Sequence, residues 1–193
     1  LGYRMIKDDF DNSADVIFTP DSSDTELFNF FLQDEISLSD NLRLTIGSKF
    51  EHNDYTGFEY QPNLRLLWQA SNDQTVWGAV SRAVRTPARS DDSMRINVAA
   101  IPGMPPKMVA LFGDSDFEAE ELLAWELGYR GQLTPRLALD VATFYNQYDN
   151  LQTVEPGLPR MENTQESSHL LLPMIFDNQM EGESYGIEAM AKW

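Results

Sequence analysis

Arg85, Arg89 and Arg95 stand close together in the sequence around Asp91 and Asp92. Guanidinium forks of this kind can hold an anionic ligand through paired hydrogen bonds. The plainer account is that they join their neighbouring carboxylates in loop salt bridges of little energetic weight. Met94, Met104 and Met108 share the stretch. Thioethers can capture a soft metal, but methionine more simply serves as adaptable packing beneath a loop. Tyr145 and Tyr148 fit an interfacial aromatic belt better than ligand stacking. Nothing here is arranged for catalysis. The chain has no nucleophile elbow, no His–Asp–Ser order and no Gly-rich phosphate loop. The acidic pairs Glu120–Glu121 and Asp91–Asp92 are sequence neighbours in polar surroundings, as in a solvated loop or strand end. His52 and His169 lie far apart and cysteine is absent, so neither a metal site nor a cofactor is expected.

The formal net charge of −17 argues against nucleic acid, which needs a basic footprint. It permits cationic or metal-bearing ligands, although solvation of exposed loops explains the carboxylates equally well. The 193 residues suffice for one domain or for part of a larger one. Beginning at Leu1, with neither initiator Met nor signal peptide, the sequence reads as a piece of a longer or processed protein. No apolar run reaches the roughly 18 residues of a membrane helix. Barrel strands are untouched by that test, because they need only alternate.

Alternation is what the chain offers. In Glu120–Tyr148, Leu123, Trp125, Leu127 and Tyr129 fall on one face and Ala124, Glu126, Gly128 and Arg130 on the other. After a tight turn at Gln132–Pro135, Leu137, Leu139, Val141 and Tyr145 oppose Ala138, Asp140, Ala142 and Asn146. A period of two on both sides of a short turn predicts a β-hairpin, with one apolar and one wet face, as in a membrane barrel. Phe28, Phe30, Leu32, Ile36 and Leu38 alternate in the same way, with Asp34 breaking the apolar face where the strand would meet water. Leu42, Leu44, Ile46 and Phe50 form another such face, and so do Leu64, Leu66 and Trp68. Val76, Val80 and Val84 read as outward in the next strand, which leaves Arg82 in conflict. Tyr185, Ile187, Ala189, Ala191 and Trp193 oppose Ser184, Gly186, Glu188 and Lys192 in the last. Under this reading Glu126, Arg130, Asp140, Asn146 and Glu188 face a lumen.

Connections at 39–41, 71–74 and 132–135 read as short turns. Those at 7–24, 53–59, 86–117 and 150–178 read as mostly long loops, rich in Asp, Pro and Gly. Strict alternation of short and long connections sends them to opposite ends of an up-and-down sheet. Outer-membrane barrels have this asymmetry, with short periplasmic turns and long extracellular loops.

The segments that carry these features also carry a family likeness. Gln33–Glu35, the Asp40–Asn41 turn, Leu42–Gly47, Val84–Pro87, Gly113–Arg130, Phe144–Asn146 with Tyr148–Leu151, and Tyr185–Glu188 with Trp193 occur in the order found in a barrel that the chain resembles, that of TonB-dependent outer-membrane receptors. Val84 stands where the family has Phe, and Asp114-Ser115-Asp116 where it has Asn-Pro-Asn. The resemblance implies an all-β, antiparallel up-and-down transmembrane barrel of roughly 22 strands around a plug domain. This chain, as part of the barrel domain over residues 1–193, would contribute about eight strands, with plug and remaining strands absent. It also implies active uptake of a scarce nutrient, foremost a ferric siderophore, energised by TonB through the plug. Outer-membrane lipid and a ferric chelate would be the partners. Arg85, Arg89, Asp91, Asp92 and Arg95 would be the loop candidates for holding the ligand. Thr86–Asp114 contains no histidine, which disfavours haem. The alternative is a soluble β-sandwich or barrel that binds a partner through its loops, its apolar faces packed together. An isolated piece with open edges is expected to pair with a second copy.

Overall fold

In the computed structural model, residues 1–163 and 168–193 are described. The elements run β1 (Gly2–Asp9), β2 (Val16–Phe18), β3 (Ser22–Ser39), β4 (Leu42–Asn53), β5 (Gly57–Ser71), β6 (Gln74–Arg85), α1 (Arg89–Ser93), β7 (Met94–Ile101), β8 (Lys107–Phe112), β9 (Glu120–Thr134), β10 (Leu137–Pro156), β11 (Arg160–Asn163) and β12 (Ser168–Lys192). Hydrogen bonding joins twelve strands into one open sheet, in the order β1-β3-β4-β5-β6-β9-β10-β12-β8-β7-β2, with β11 beside β12. Among the described residues no helix is long and apolar enough to cross a membrane.

Removing β2, β7, β8 and β11 from the twelve leaves eight long strands that follow one another up and down. The four short strands lie inside stretches expected to be loops, and they correct that expectation. So does the pairing of β8 with β12, which is parallel in an otherwise antiparallel sheet. The connection expected over 53–59 is only the turn from Asn53 to Gly57. There the Asn53 carboxamide oxygen accepts from the Tyr55 and Thr56 N–H groups at 2.9 Å each, and Gly57 supplies a positive φ of 73°. Most of the loop expected over 150–178 is continuing strand, because β10 runs to Pro156 and β12 starts at Ser168; residues 164–167 lie outside the described residues. Short and long connections therefore do not alternate strictly. What persists is the placement of the substantial connections, after β1, β6 and β10, at the end opposite the turns that follow β3, β5 and β9.

Antiparallel partners share a face of the sheet, so the ladders fix the two faces. Ile46, Leu64, Val80, Trp125, Tyr145 and Tyr185 lie in one row, and Leu44, Leu66, Gly78, Leu127, Thr143 and Ile187 in the next. Ile46, Leu64, Leu66, Trp125, Leu127, Tyr185 and Ile187 in these rows are exposed, Leu127 by 58%. Asp34 pairs with Ile46 and so stands on the apolar face. Along β5, Phe58, Tyr60, Leu64, Leu66 and Trp68 mark the height of this band. Phe58 to Trp68 covers about 33 Å of strand at ~3.3 Å per residue, or roughly 23 Å at the ~45° tilt of barrel strands. A bilayer-facing apolar band is about 25 Å tall, so the heights agree. β10, with 20 residues, far exceeds the roughly 9–11 that a bilayer needs. Its excess projects beyond the band, on the side of the substantial connections.

The opposite face is polar. Small residues let large ones lie flat on it. A Cβ on Gly128 would collide with the Trp77 ring, and one on Gly186 would come within 2.7 Å of Phe144.

Candidate functional site

The projecting end of the sheet is closed over by the chain between β6 and β9. Pro87 ends the strand by forcing extended backbone before it and offering no N–H. α1 then folds back over the polar face. Asp91, buried in α1, accepts from the Ala88 N–H at 2.9 Å and from Arg85 and Gln152 at 3.4 Å each. Gly113, where β8 leaves, passes so close that a Cβ there would lie 2.7 Å from the Asp92 carbonyl carbon; no larger residue fits without moving the helix backbone. The β7–β8 hairpin next joins β12 through Lys107–Phe112 against Leu170–Ile175. On its other side it joins β2 through Met94–Ile96 against Val16–Phe18. Because β2 belongs to the connection between β1 and β3, this segment bridges two distant parts of the wall and covers its mouth. The buried apolar residues Ala110, Phe117, Ala119 and Leu171 all belong to this region, which is the only real core among the described residues.

The five loop candidates all lie in or beside the cover, but they do not form one cluster. Arg85 makes two hydrogen bonds to Glu120, at 2.7 and 2.9 Å, and reaches Asp91 at 3.4 Å. Arg89 is 8% exposed. Its guanidinium lies 5.2 and 5.7 Å from the rings of Phe10 and Phe18, which are themselves stacked at 4.2 Å. It donates to the Pro20 carbonyl and lies 3.6 Å from Asp8, while its Nε and Nη1 have no hydrogen-bond partner among the described residues. Asp92 is half-buried beside Gly113. Arg95 is separate from these, held by Glu162 through two bonds of 2.7 Å and lying over the Phe112 ring. His169 contacts the same Glu162 carboxylate at 3.0 Å. Arg95 first, and His169 after it, depress the Glu162 carboxyl against the opposing pull of burial.

Arg82 was the residue that the alternation could not place. The β5–β6 ladder stops at Asn63 and Ser81, although β5 begins at Gly57 and β6 continues to Arg85. Arg82 spans the resulting split. Its Nε and Nη2 donate to Glu121 at 2.9 and 2.6 Å, its Nη1 donates to the Tyr60 carbonyl, and its guanidinium covers the Tyr60 ring at 4.7 Å. A hollow of about 630 Å³ opens there, lined by Tyr55, Glu59, Phe117, Glu118, Glu121 and Asn150 among others. A second hollow of about 270 Å³ lies under α1 against Arg4, Asp8, Glu26, Leu27 and Asn53.

Glu126, Arg130, Asp140, Asn146 and Glu188 occupy the polar face together. Arg130 and Asp140 are ladder partners joined by a 2.7 Å hydrogen bond. Glu188 sits across from Ala142, and Asn146 donates to Ser184 at 3.2 Å. Glu126 edges a depression of about 430 Å³ with Gln33, Glu35, Arg43, Asn63 and Arg65. No group of three or more metal-ligating side chains occurs among the described residues.

Residues 1–193 match the family model described as TonB dependent receptor-like, beta-barrel. A curated relative, the iron-regulated outer membrane virulence protein of Vibrio cholerae serotype O1, is 24% identical over 159 residues, covering 82% of this chain and 24% of its own length. The siderophore receptor PirA of Acinetobacter baumannii superposes with a TM-score of 0.74 at 15% identity, over 89% of this chain and 26% of that one. A double mutant of the ferric enterobactin receptor PfeA from Pseudomonas aeruginosa gives 0.71 at 22% identity, over 88% and 24%. The chain spans about a quarter of the length of these proteins.

Proposed function

Because the chain belongs to the TonB-dependent receptor-like β-barrel family and its place is the outer membrane of Gram-negative bacteria, we propose that its eight long strands form an arc of a closed transmembrane barrel. That barrel would import a ferric siderophore using energy relayed through TonB. The role is that of a transport receptor, not an enzyme. The observation that carries the barrel reading is the exposed apolar band. Its height matches a bilayer, and a soluble sandwich would have to bury it. The polar face with Glu126, Arg130, Asp140, Asn146 and Glu188 then lines the lumen and meets the plug. The names of PirA and PfeA as siderophore receptors support the choice of cargo.

Of the five loop candidates, Arg85 is the best placed to meet an anionic chelate, its side chain being 48% exposed. Asp91 and Asp92 set its surroundings, while Arg89 and Arg95 act on the ligand through the position of the cover. The test is uptake of iron-loaded chelates by cells that carry the complete receptor, with and without TonB. TonB-dependent accumulation of a ferric siderophore is expected. Uptake of cobalamin or a glycan in place of iron would reassign the cargo, and a water-soluble monomeric protein without detergent would sink the membrane assignment.

A further inference from the structure

The cover is fastened at both sides, and the two fastenings are unequal. At β12, six residue pairs form the ladder. Ala110 and Leu171 are fully buried there, the Leu170 N–H donates to the Pro106 carbonyl at 2.8 Å, and Arg95 ties the hairpin to Glu162. At β2 only three pairs form. They are supplemented by hydrogen bonds of Thr19 to Ser93 at 3.1 Å and of Asn97 to Asp15 at 2.8 Å. The Asn97 side chain adds a bond to the Ala14 carbonyl at 2.8 Å. The last tie is Arg89, clamped against Phe10 and Phe18, and among the described residues two of its buried nitrogens have no acceptor within hydrogen-bond distance, with Asp8 at 3.6 Å. A buried donor without a partner carries an unfavourable desolvation cost that opening to water relieves. Local opening follows the least favourable contacts, with short ladders first.

We propose that the β2–β7 joint, latched by Arg89 between Phe10 and Phe18, is where the cover over the mouth opens, while the β8–β12 joint stays closed as its hinge. Opening there exposes the hollow under α1 without disturbing the wall. The role assigned to this movement, admission of cargo, rests on the transport reading above; the movement itself does not.

Amide hydrogen exchange on the complete receptor in detergent micelles tests the movement without reference to transport. The amides of Thr19 and Asn97, which bond across the β2–β7 joint, should exchange at least about tenfold faster than that of Ala110 in the β8–β12 pairing. Arg89→Ala should speed the first set by about a further tenfold and leave the second unchanged. Phe18→Leu, a milder change to the same latch, should act in the same direction, so the test survives if Arg89→Ala does not fold. Equal protection at both joints, or an equal response of both to these variants, overturns the proposal. Transport is tested with engineered disulfides, for which paired strand positions have suitable spacing. A Val16→Cys/Ile96→Cys bond should block uptake until reduced, whereas Val109→Cys/Leu172→Cys should not. If the unmodified receptor carries no ferric chelate, the transport reading fails while the exchange result stands; if it does and the Val16–Ile96 lock has no effect, the latch is not the gate.

Discussion

Replacing Arg82 by alanine would remove a side chain that links Tyr60 of β5 to Glu121 of β9 where β6 no longer pairs with β5. Its side chain is 16% exposed and that of Glu121 is 36% exposed, so solvent screens the ion pair and about 1 kcal/mol is a suitable figure for it. The hydrogen bond from the charged guanidinium to the Tyr60 carbonyl adds about 1.5 kcal/mol, and stacking on the Tyr60 ring adds about 0.5. These groups share one side chain and do not add fully, which leaves an expected loss of about 2–3 kcal/mol. The assay is urea unfolding of the receptor in detergent micelles, followed by tryptophan fluorescence, on Arg82→Ala, Glu121→Gln and the double variant. Arg82 and Glu121 should show a coupling of about 1 kcal/mol in the double-mutant cycle. Arg82→Lys should lose more than half of the effect, because a point ammonium cannot serve Glu121 and the Tyr60 carbonyl together. A loss for Arg82→Ala below about 0.5 kcal/mol, within the range of ordinary surface substitutions, would refute the view that this arginine replaces the missing ladder.

Other outcomes follow from the same geometry. Leu66→Arg, on the apolar face, should impair folding into lipid vesicles by about 2–4 kcal/mol, whereas Ala79→Arg on the polar face should cost little; equal costs would contradict the assignment of faces. Gly128→Ala pushes a methyl into the Trp77 ring and should destabilise by about 1–3 kcal/mol, with part of the loss recovered by Trp77→Leu; a neutral Gly128→Ala would mean that the ring does not lie there. The Glu162 carboxyl is depressed in the folded protein, chiefly by Arg95. Its contribution is therefore fully present above the ordinary carboxylate range and is lost as pH falls through its depressed value. Proteolysis of the β7–β8 hairpin should accordingly speed up as the medium becomes acidic, and Glu162→Gln should be cut readily at neutral pH with a flatter pH dependence.

The wall was legible because each long strand meets two different media. That constraint writes a period of two into residues such as Leu123–Tyr129 and Leu64–Trp68, and needs no knowledge of neighbours. The cover was not legible, because its pairings are long-range: Val16 finds Ile96 and Lys107 finds Leu170, and nothing near either residue marks its partner. Pro102, Gly103, Pro105 and Pro106 made 86–117 read as irregular, although Lys107–Phe112 is a short apolar run of the kind that covered strands use. The same reasoning misjudged 150–178, where polar residues and Pro173 concealed strands that, among the described residues, continue beyond the apolar band, free of the need for one apolar face. Arg82 was the useful anomaly. A charge on the apolar side of a strand end needs an anion nearby, and Glu121 was already visible in the facing strand.

The excess of carboxylates, read at first as loop solvation, has a second use at the mouth. A cover built from polar chain over a polar face cannot gather much apolar surface, and Ala110, Phe117, Ala119 and Leu171 are a small core. Arginines of the cover and of the wall strand that leads into it instead meet carboxylates: Arg89 beside Asp8, Arg95 with Glu162, and Arg85, at the end of β6, with Glu120 and Asp91. Such pairs are directional, so they fix where the segment lies, but they are weaker ties than apolar packing when water reaches them. Arg85 stands at the boundary between the two roles. In the proposed role, an anionic cargo reaching Arg85 would displace a carboxylate from a two-bond grip, not merely water. Only a ligand that offers comparable paired oxygens, or brings favourable contacts elsewhere, can take that place. Under the proposed function, the pairs that hold the cover together would thus also set a threshold for what binds beneath it.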